Sequence, residues 1–412
     1  MLYKSKYYSS NDNELSNKQL TKVVVYGTGT FGALAIYALK QRNIKILNVI
    51  DDNLKNWNKD FYGYKVTQPN ILEELKPDVY VIIASLHYKY MLKILKSFNI
   101  TNYVYCDFLF NKLDLKNFKH TVDRIEGNTD LKHVITALDL YMYSILSYRN
   151  KLLNIKTLDL VLTERCTLKC KDCANLMQYY KKPENTDDKG LLLSFNNFIN
   201  VVDNLLEARI LGGEPLMYKN ISNIMDIIIG NKKVNKVVIF TNGTIIPKDI
   251  NIYKDSKVFF KISDYGRHSK HSKIPELENI LKINNINFLT ERVVTWQNAA
   301  IIGFQNRTIE LTKKTFGTCC VNDALTLLHG KLYICPFSAH AENLHAIPIN
   351  HDDTIDLING NYDEIYNKLF SFIYEKEYIE ACNHCNGRDY AVGDVEAAVQ
   401  VKSPIDYKLY QN

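Results

Sequence analysis

Short apolar, β-branched runs alternate with helical stretches twice along this sequence, and most of the runs end in glycine or polar residues. The first series starts at residues 22–26 (KVVVY), which enter GTGTFG with Gly27, Gly29 and Gly32. A helical stretch follows at 33–40, then an apolar run at 44–50 closed by Asp51 and Asp52. A buried-strand pattern at 79–84, a helix at 88–98 and a last strand at 103–110 complete the unit. Such alternation predicts an α/β, doubly wound parallel sheet over 21–110. The glycine run has the logic of a dinucleotide fingerprint, with an acid pair some 20 residues further on. A pyrophosphate could approach the helix N-terminus, and Asp51 or Asp52 could bind a ribose hydroxyl. The same pattern also fits a domain that binds no nucleotide and only docks or scaffolds. Residues 1–20 read as a polar arm. Residues 111–155 read as a helical connector, with apolar residues at 131, 134, 135, 138, 141 and 145 and a cap at Asn128 or Thr129.

The second series begins near residue 157. Strand patterns at 158–162, 208–211, 236–240, 258–262 and 287–294 are separated by helical ones at 194–206 (Ser194 as cap), 221–229 and 275–283. Their C-terminal ends carry a cysteine run, GGEP, TNG and SDYG. In a barrel of parallel strands that end is where sites are built. The stretch 156–314 is too short for eight strand–helix pairs, so a partial barrel is expected. Beyond it, 325–328 and 332–334 flank His329 and Gly330 as a hairpin, and 362–374 is helical. A chain of 412 residues exceeds one usual core, which agrees with two or three domains.

Eight of the nine cysteines fall into two groups. The N-terminus lacks an apolar signal core, so a cytoplasmic chain is expected, and thiol groups in a reducing compartment point to metal rather than disulfides. Cys166, Cys170 and Cys173 stand as C-x3-C-x2-C directly after a strand. Three thiolates there can hold three corners of a cubane and leave one iron open for substrate. A closed zinc ribbon wants a different spacing. The second group is Cys319 or Cys320, then Cys335, then Cys382 and Cys385 in CNHC. Four thiolates would fully ligate one [4Fe-4S] cluster, and the same set suits structural zinc. Successive side chains of an extended chain point to opposite faces, so only one of Cys319 and Cys320 should ligate. Cys319 is favoured, and the other thiol is free to be a hydrogen-atom donor or a packed side chain. Cys106 reads as core.

CTLKCKDC after a strand, with LGGEPL (211–216) and TNG (241–243) at later strand ends, resembles the radical S-adenosylmethionine (SAM) superfamily over about 155–300. The resemblance implies a [4Fe-4S] cluster on Cys166, Cys170 and Cys173 that binds SAM at its open iron. It implies that Gly212, Gly213 and Glu214 line the methionine moiety, and that Thr241, Asn242 and Ser263 lie near the ribose and sulfonium. It also implies reductive cleavage to a 5′-deoxyadenosyl radical, with flavodoxin or ferredoxin as electron donor. Asp172 departs from the aromatic residue common before the third cysteine. The order of one cysteine, a hairpin and C-x2-C over 315–400 resembles the twitch form of the SPASM extension, as in aminocyclitol dehydrogenases. That implies a second, auxiliary [4Fe-4S] cluster. The 21–110 unit resembles the Rossmann-like domains attached to sugar-modifying enzymes. The architecture expected is thus a Rossmann-like domain, a partial (β/α)6 radical SAM barrel and a small α+β extension.

Together these readings lead to hydrogen abstraction from a sugar-like substrate, nucleotide-linked or free, by dehydrogenation or epimerisation; a ribosomal peptide is the alternative substrate. His340, His345, Asp264, Tyr265 and Arg292 are further candidates for contacts. An NAD-dependent oxidoreductase with structural zinc would leave GGEP unexplained. With 51 Lys+Arg against 45 Asp+Glu, a net charge of +6 gives no cause to expect nucleic acid or an anionic membrane. No apolar run reaches the roughly 18–20 residues of a spanning helix.

Overall fold

A computed structural model of the protein describes residues 2–3, 20–119, 131–388 and 393–410. Most of the expected polar arm, and the caps expected at Asn128 or Thr129, lie outside these residues. The chain forms two compact units, Met1–Lys151 and Leu152–Asn412. Each has its own large apolar cluster.

In the first unit β1 (Lys22–Tyr26), α1 (Thr30–Gln41), β2 (Lys45–Ile50), β3 (Asp60–Phe61), β4 (Tyr64–Thr67), β5 (Tyr80–Ile83), α2 (Tyr88–Ser97) and β6 (Tyr103–Tyr105) follow in order. The sheet order is β3-β4-β2-β1-β5-β6, parallel except for β3 at the edge. The chain order reverses at β1, as in doubly wound sheets. The last strand is shorter than expected: Cys106 caps α3 (Asp107–Phe110), and Asp107 is held by Arg149 at 2.7 Å. Arg149 belongs to α4 (Leu131–Asn150), whose Val134, Leu138, Tyr141, Met142 and Ile145 enter the same core. The expected connector is therefore part of this unit as far as Lys151.

The second unit opens with β7 (Asn154–Thr163), α5 (Asp188–Val201), β8 (Asn204–Gly212), α6 (Ile221–Gly230), β9 (Val237–Thr241), β10 (Val258–Asp264), α7 (Ile274–Ile283), β11 (Asn287–Arg292) and β12 (Thr295–Gln297). It continues through α8 (Ile309–Thr318), β13 (Ala324–Leu328), β14 (Lys331–Tyr333), α9 (Pro336–Asn343), β15 (Thr354–Asp356), α10 (Tyr362–Tyr374) and β16 (Asp394–Glu396). Its sheet runs β11-β10-β9-β8-β7-β13-β14-β15. The six strands from β11 to β13 are parallel, and the last two add antiparallel. The boundary expected at residues 314/315 thus divides a sheet that the chain builds as one, because β13 pairs directly with β7.

The helix expected at 194–206 is corrected. Asp187 caps α5 by accepting from Gly190 N at 2.7 Å, and Ser194 lies inside the helix, bonding back to Gly190 O at 2.6 Å. Residues 204–206 already belong to β8.

Strand alternation separates the two faces of the larger sheet. Leu158, Leu160 and Leu162 of β7, Ala208 and Ile210 of β8, Val237 and Ile239 of β9, and Phe260 and Ile262 of β10 join the main core with the helices. The opposite face carries Asp159, Glu207, Arg209, Phe240, Phe259, Lys261 and Glu291, most of them only half-buried. Arg209 bonds Glu207 at 2.6 Å and lies 3.7 Å from Asp159; Lys261 lies 3.3 Å from Glu291.

Candidate active site

The loop after β7 carries Cys166, Cys170 and Cys173, all free thiols. Burial pushes the Cys166 and Cys173 thiols up, and the Cys170 thiol up to about 12. Bare thiols in such a place gain little from ionising, whereas a bound metal would stabilise the thiolates outright. Donors already face the sulfurs. Leu168 N lies 3.4 Å from Cys166 Sγ, Asn242 Nδ2 3.6 Å from the same atom, and Gln400 Nε2 3.3 Å from Cys170 Sγ.

The GGE segment at the end of β8 packs onto this loop. Gly213 N donates to Thr163 O at 2.7 Å, and Glu214 N to Arg165 O at 2.8 Å. A Cβ on Gly213 would stand 2.3 Å from Arg165 O and 2.9 Å from Cys166 Cβ, so only glycine fits. Glu214 is fully buried, and its carboxylate accepts from Thr241 Oγ1 at 2.9 Å, Asn242 N at 2.8 Å and Leu216 N at 3.2 Å. Burial still pushes its pKa up to about 7. The carboxylate thus ties the end of β8 to the end of β9, beside the first cysteine. Asn242 extends the network to Thr167 at 3.0 Å.

Cys166, Gly213, Glu214, Thr241 and Asn242 are therefore gathered in one place. Ser263 sits one strand further, near the end of β10 and two residues before Tyr265. Tyr265 meets Trp296 edge-on at 5.4 Å, and both pack against Leu168, Cys170 and Ala398 around the cysteine loop. Asp264 and Arg292 pair with each other at 2.9 Å.

A feature the sequence reading missed closes this site. From β16, which pairs with β12, the chain runs across the cysteine loop. Lys171 N donates to Val399 O at 2.7 Å, Val401 N to Lys169 O at 2.8 Å, and Lys169 N to Gln400 Oε1 at 2.7 Å. Nothing local in the C-terminal sequence signals such a strap.

The second cysteine group surrounds a cavity. Cys319, the C-cap of α8, Cys335, the N-cap of α9, and Cys382 and Cys385 all line it, between Ala299, Phe316, Phe337 and Ile379. Cys320 does not; its thiol turns to Gln297 Oε1 at 3.6 Å. Ser338 N at 3.4 Å faces Cys335 Sγ, and Gly387 N at 3.1 Å faces Cys385 Sγ. Arg307 Nη1 clamps the carbonyls of Cys382 and Cys385 at 2.6 and 2.7 Å. Among the described residues, no three His, Cys, Asp or Glu side chains are drawn tightly enough to hold a single metal ion. Four thiols round a cavity are the donor set of a [4Fe-4S] cluster and of a structural zinc ion alike.

The histidine candidates separate. His340 is fully buried, with Nδ1 2.8 Å from Tyr180 OH, and burial pushes its pKa down to about 4. Tyr180 and Glu164 share Asn343, at 3.0 and 2.7 Å, and Glu164 also meets His329 at 2.9 Å. His345 is an exposed turn residue with φ 52° just beyond α9.

In the first unit the fingerprint glycines serve internal packing. A Cβ on Gly27 would meet Ala84 O at 2.7 Å, and one on Gly32 would meet Gly27 O at 2.1 Å. Gly29 is the N-cap of α1. Asp51, expected to be a ribose ligand, instead accepts from Thr28 N and Oγ1 at 2.9 and 2.6 Å and from Asn53 N at 2.7 Å. Asp52 accepts from Tyr26 OH at 2.7 Å. Both acids thus have hydrogen-bond partners inside the domain, and the close glycine packing is shared by a dinucleotide fingerprint and a scaffold domain.

Known proteins resemble parts of this chain. The family described as C2185-like, N-terminal, matches residues 19–104. A GTP 3′,8-cyclase of Desulforamulus reducens is 33% identical over 97 residues, 22% of this chain and 28% of that enzyme. A GTP 3′,8-cyclase of Clostridium acetobutylicum is 29% identical over 146 residues, 32% of this chain and 45% of that enzyme. The matches thus span less than half the length of either relative. The solved structure of BtrN in complex with AdoMet and 2-DOIA is 14% identical, with a TM-score of 0.40, covering 61% of this chain and 98% of that one. The sequence matches support the radical SAM superfamily. Among the described residues, no helix is long and apolar enough to cross a membrane.

Proposed function

We propose that the protein is a radical SAM enzyme that removes a hydrogen atom from a carbinol carbon of a small, sugar-like substrate. Cys166, Cys170 and Cys173 would hold the first [4Fe-4S] cluster, and Cys319, Cys335, Cys382 and Cys385 an auxiliary one. When bound, the first cluster and SAM supply one-electron cleavage of a C–S bond and a carbon radical able to take hydrogen from an unactivated position. The observation that carries the reading is the gathering of the three-cysteine loop, the Gly213–Glu214 turn and the Thr241–Asn242 turn at adjacent ends of parallel strands.

The chain's own residues then have definite tasks. Glu214 holds the β8 and β9 ends in register, so that polar groups there stay fixed during the reaction. Gln400 and Asn242 donate to cysteine sulfurs, and the C-terminal strap covers the loop and limits water and oxygen. The half-buried face with Asp159, Arg209, Lys261 and Glu291 offers both donors and acceptors, which suits a polyhydroxylated substrate better than an apolar one. Cys320 lies outside the second cavity, so all four cavity thiols are left for an auxiliary cluster, which would accept the second electron in a dehydrogenation, while Cys320 is the thiol that would return hydrogen in an epimerisation. Flavodoxin or ferredoxin is the class of donor such a reaction requires.

Anaerobically purified protein, given SAM and a strong reductant, should form 5′-deoxyadenosine, and the C166A/C170A/C173A variant should form none. Equal yields would end the reading. Sugars deuterated at the reacting carbon should pass label to 5′-deoxyadenosine; solvent deuterium in the product would mean epimerisation. Transfer from a peptide but from no sugar would replace the sugar-like substrate with a peptide.

A further inference from the structure

One charged side chain lies between the two cysteine groups and has no evident task in either. Arg388 lines the cavity ringed by Cys319, Cys335, Cys382 and Cys385, and Ala174, the neighbour of Cys173, lines the same cavity. Its charge acts on Cys335 and Cys385 of one group and on Cys173 of the other. Its backbone is pinned, since Cys320 N donates to Arg388 O at 2.8 Å. Yet its Nε is buried and, among the described residues, without an acceptor. Leaving a buried donor unpaired costs on the order of 1–3 kcal/mol, more for a charged group, so such an atom marks a missing partner.

We infer that Arg388 is a redox-tuning residue: its guanidinium donates a hydrogen bond to the sulfur of the auxiliary cluster and holds that couple at a more positive potential. The inference rests on the auxiliary-cluster reading above. Reduction adds one electron and no proton to an already anionic, four-thiolate cluster. A fixed cation and a directed N–H both favour the reduced form, and so favour that cluster as the electron's destination. Asp159 is the competing partner. Its Oδ1 is also buried without a hydrogen bond, and it too feels the Arg388 charge.

The test is a potentiometric titration, followed by electron paramagnetic resonance, of the full-length protein with both clusters reconstituted. Wild type, R388Q, R388K and D159N are compared, with iron and sulfide measured on each. R388Q should keep its iron and lower the auxiliary potential by at least a tenfold change in the reduction equilibrium, about 59 mV for a one-electron couple. R388K keeps the charge but loses the planar N–H, and should fall between. D159N should leave the potential unchanged. An unchanged potential in iron-replete R388Q overturns the inference, as does a D159N potential raised by as much as R388Q lowers it, which would make Arg388 simply the counter-ion of Asp159. If R388Q loses iron, R388K decides: a lowered potential supports the role and a wild-type potential refutes it. Wild type that binds no second cluster would sink the auxiliary-cluster reading itself, a distinct result.

Discussion

Gly213 shows how tightly single residues are constrained around the cysteine loop. A methyl group there would overlap a main-chain carbonyl and Cys166 Cβ, neither of which can yield without moving the loop. Overpacking of this kind costs roughly 1–3 kcal/mol. Gly213→Ala should therefore lose iron from the first cluster while keeping that of the second, measured as about half the iron of wild type. His340 gives a prediction with a sign. Its pKa is lowered to about 4 from the ordinary 6.5, so below pH 6.5 the unfolded chain binds more protons than the native one. Stability should fall as pH drops from about 6.5 to 4, by up to roughly 3 kcal/mol from this group, and the effect should be absent above pH 7. Thermal melts of wild type and H340Q across pH 4–7.5 check this; a wild-type slope matched by the variant would assign the loss to carboxylates instead. At this scale the sequence was legible where chemistry demands a spacing, as in CTLKCKDC. It was silent where geometry decides. Cys319 and Cys320 are equivalent on paper, and only the end of α8 turns one to the cavity and the other to Gln297.

Among elements, most strands were legible because their apolar runs are bounded by glycine or polar turns. The misplaced α5 came from a continuous apolar period through 191–206, which fits helix or strand, while the cap signal in the Asp187–Asp188 pair went unread. The His329–Gly330 turn, with φ of 47° and 84°, is a hairpin turn of the kind its glycine announces. The strap over the cysteine loop left no such mark, since its pairing with residues more than 200 positions earlier is wholly tertiary. Gln400 makes three bonds there, to Cys170 Sγ, Lys169 N and Ala398 O. Gln400→Ala should weaken the strap by about 1–2 kcal/mol and expose the loop. The measurable outcome is faster bleaching of the first cluster in air, with the auxiliary cluster bleaching at its wild-type rate.

At the scale of the molecule, the two units carry separate cores, so each has the means to fold by itself. The second unit holds every cysteine except Cys106, together with the Gly213–Glu214 and Thr241–Asn242 turns. Hydrogen abstraction at the cysteine loop asks nothing of the first unit. A fragment of residues 152–412 should therefore bind iron and form 5′-deoxyadenosine from SAM at a rate within a few-fold of the whole chain. Calorimetry of residues 1–151 with NAD, nucleotide sugars and coenzyme A tests the fingerprint: no binding by any of them leaves the unit a docking or scaffold domain. If the fragment instead cleaves SAM normally but loses turnover of the true substrate, the first unit takes part in delivering that substrate. Strong binding of any nucleotide would give the fingerprint the role its spacing suggests, with Asp51 Oδ1, which among the described residues accepts only from Asn53 N, as the acceptor left for a ribose hydroxyl.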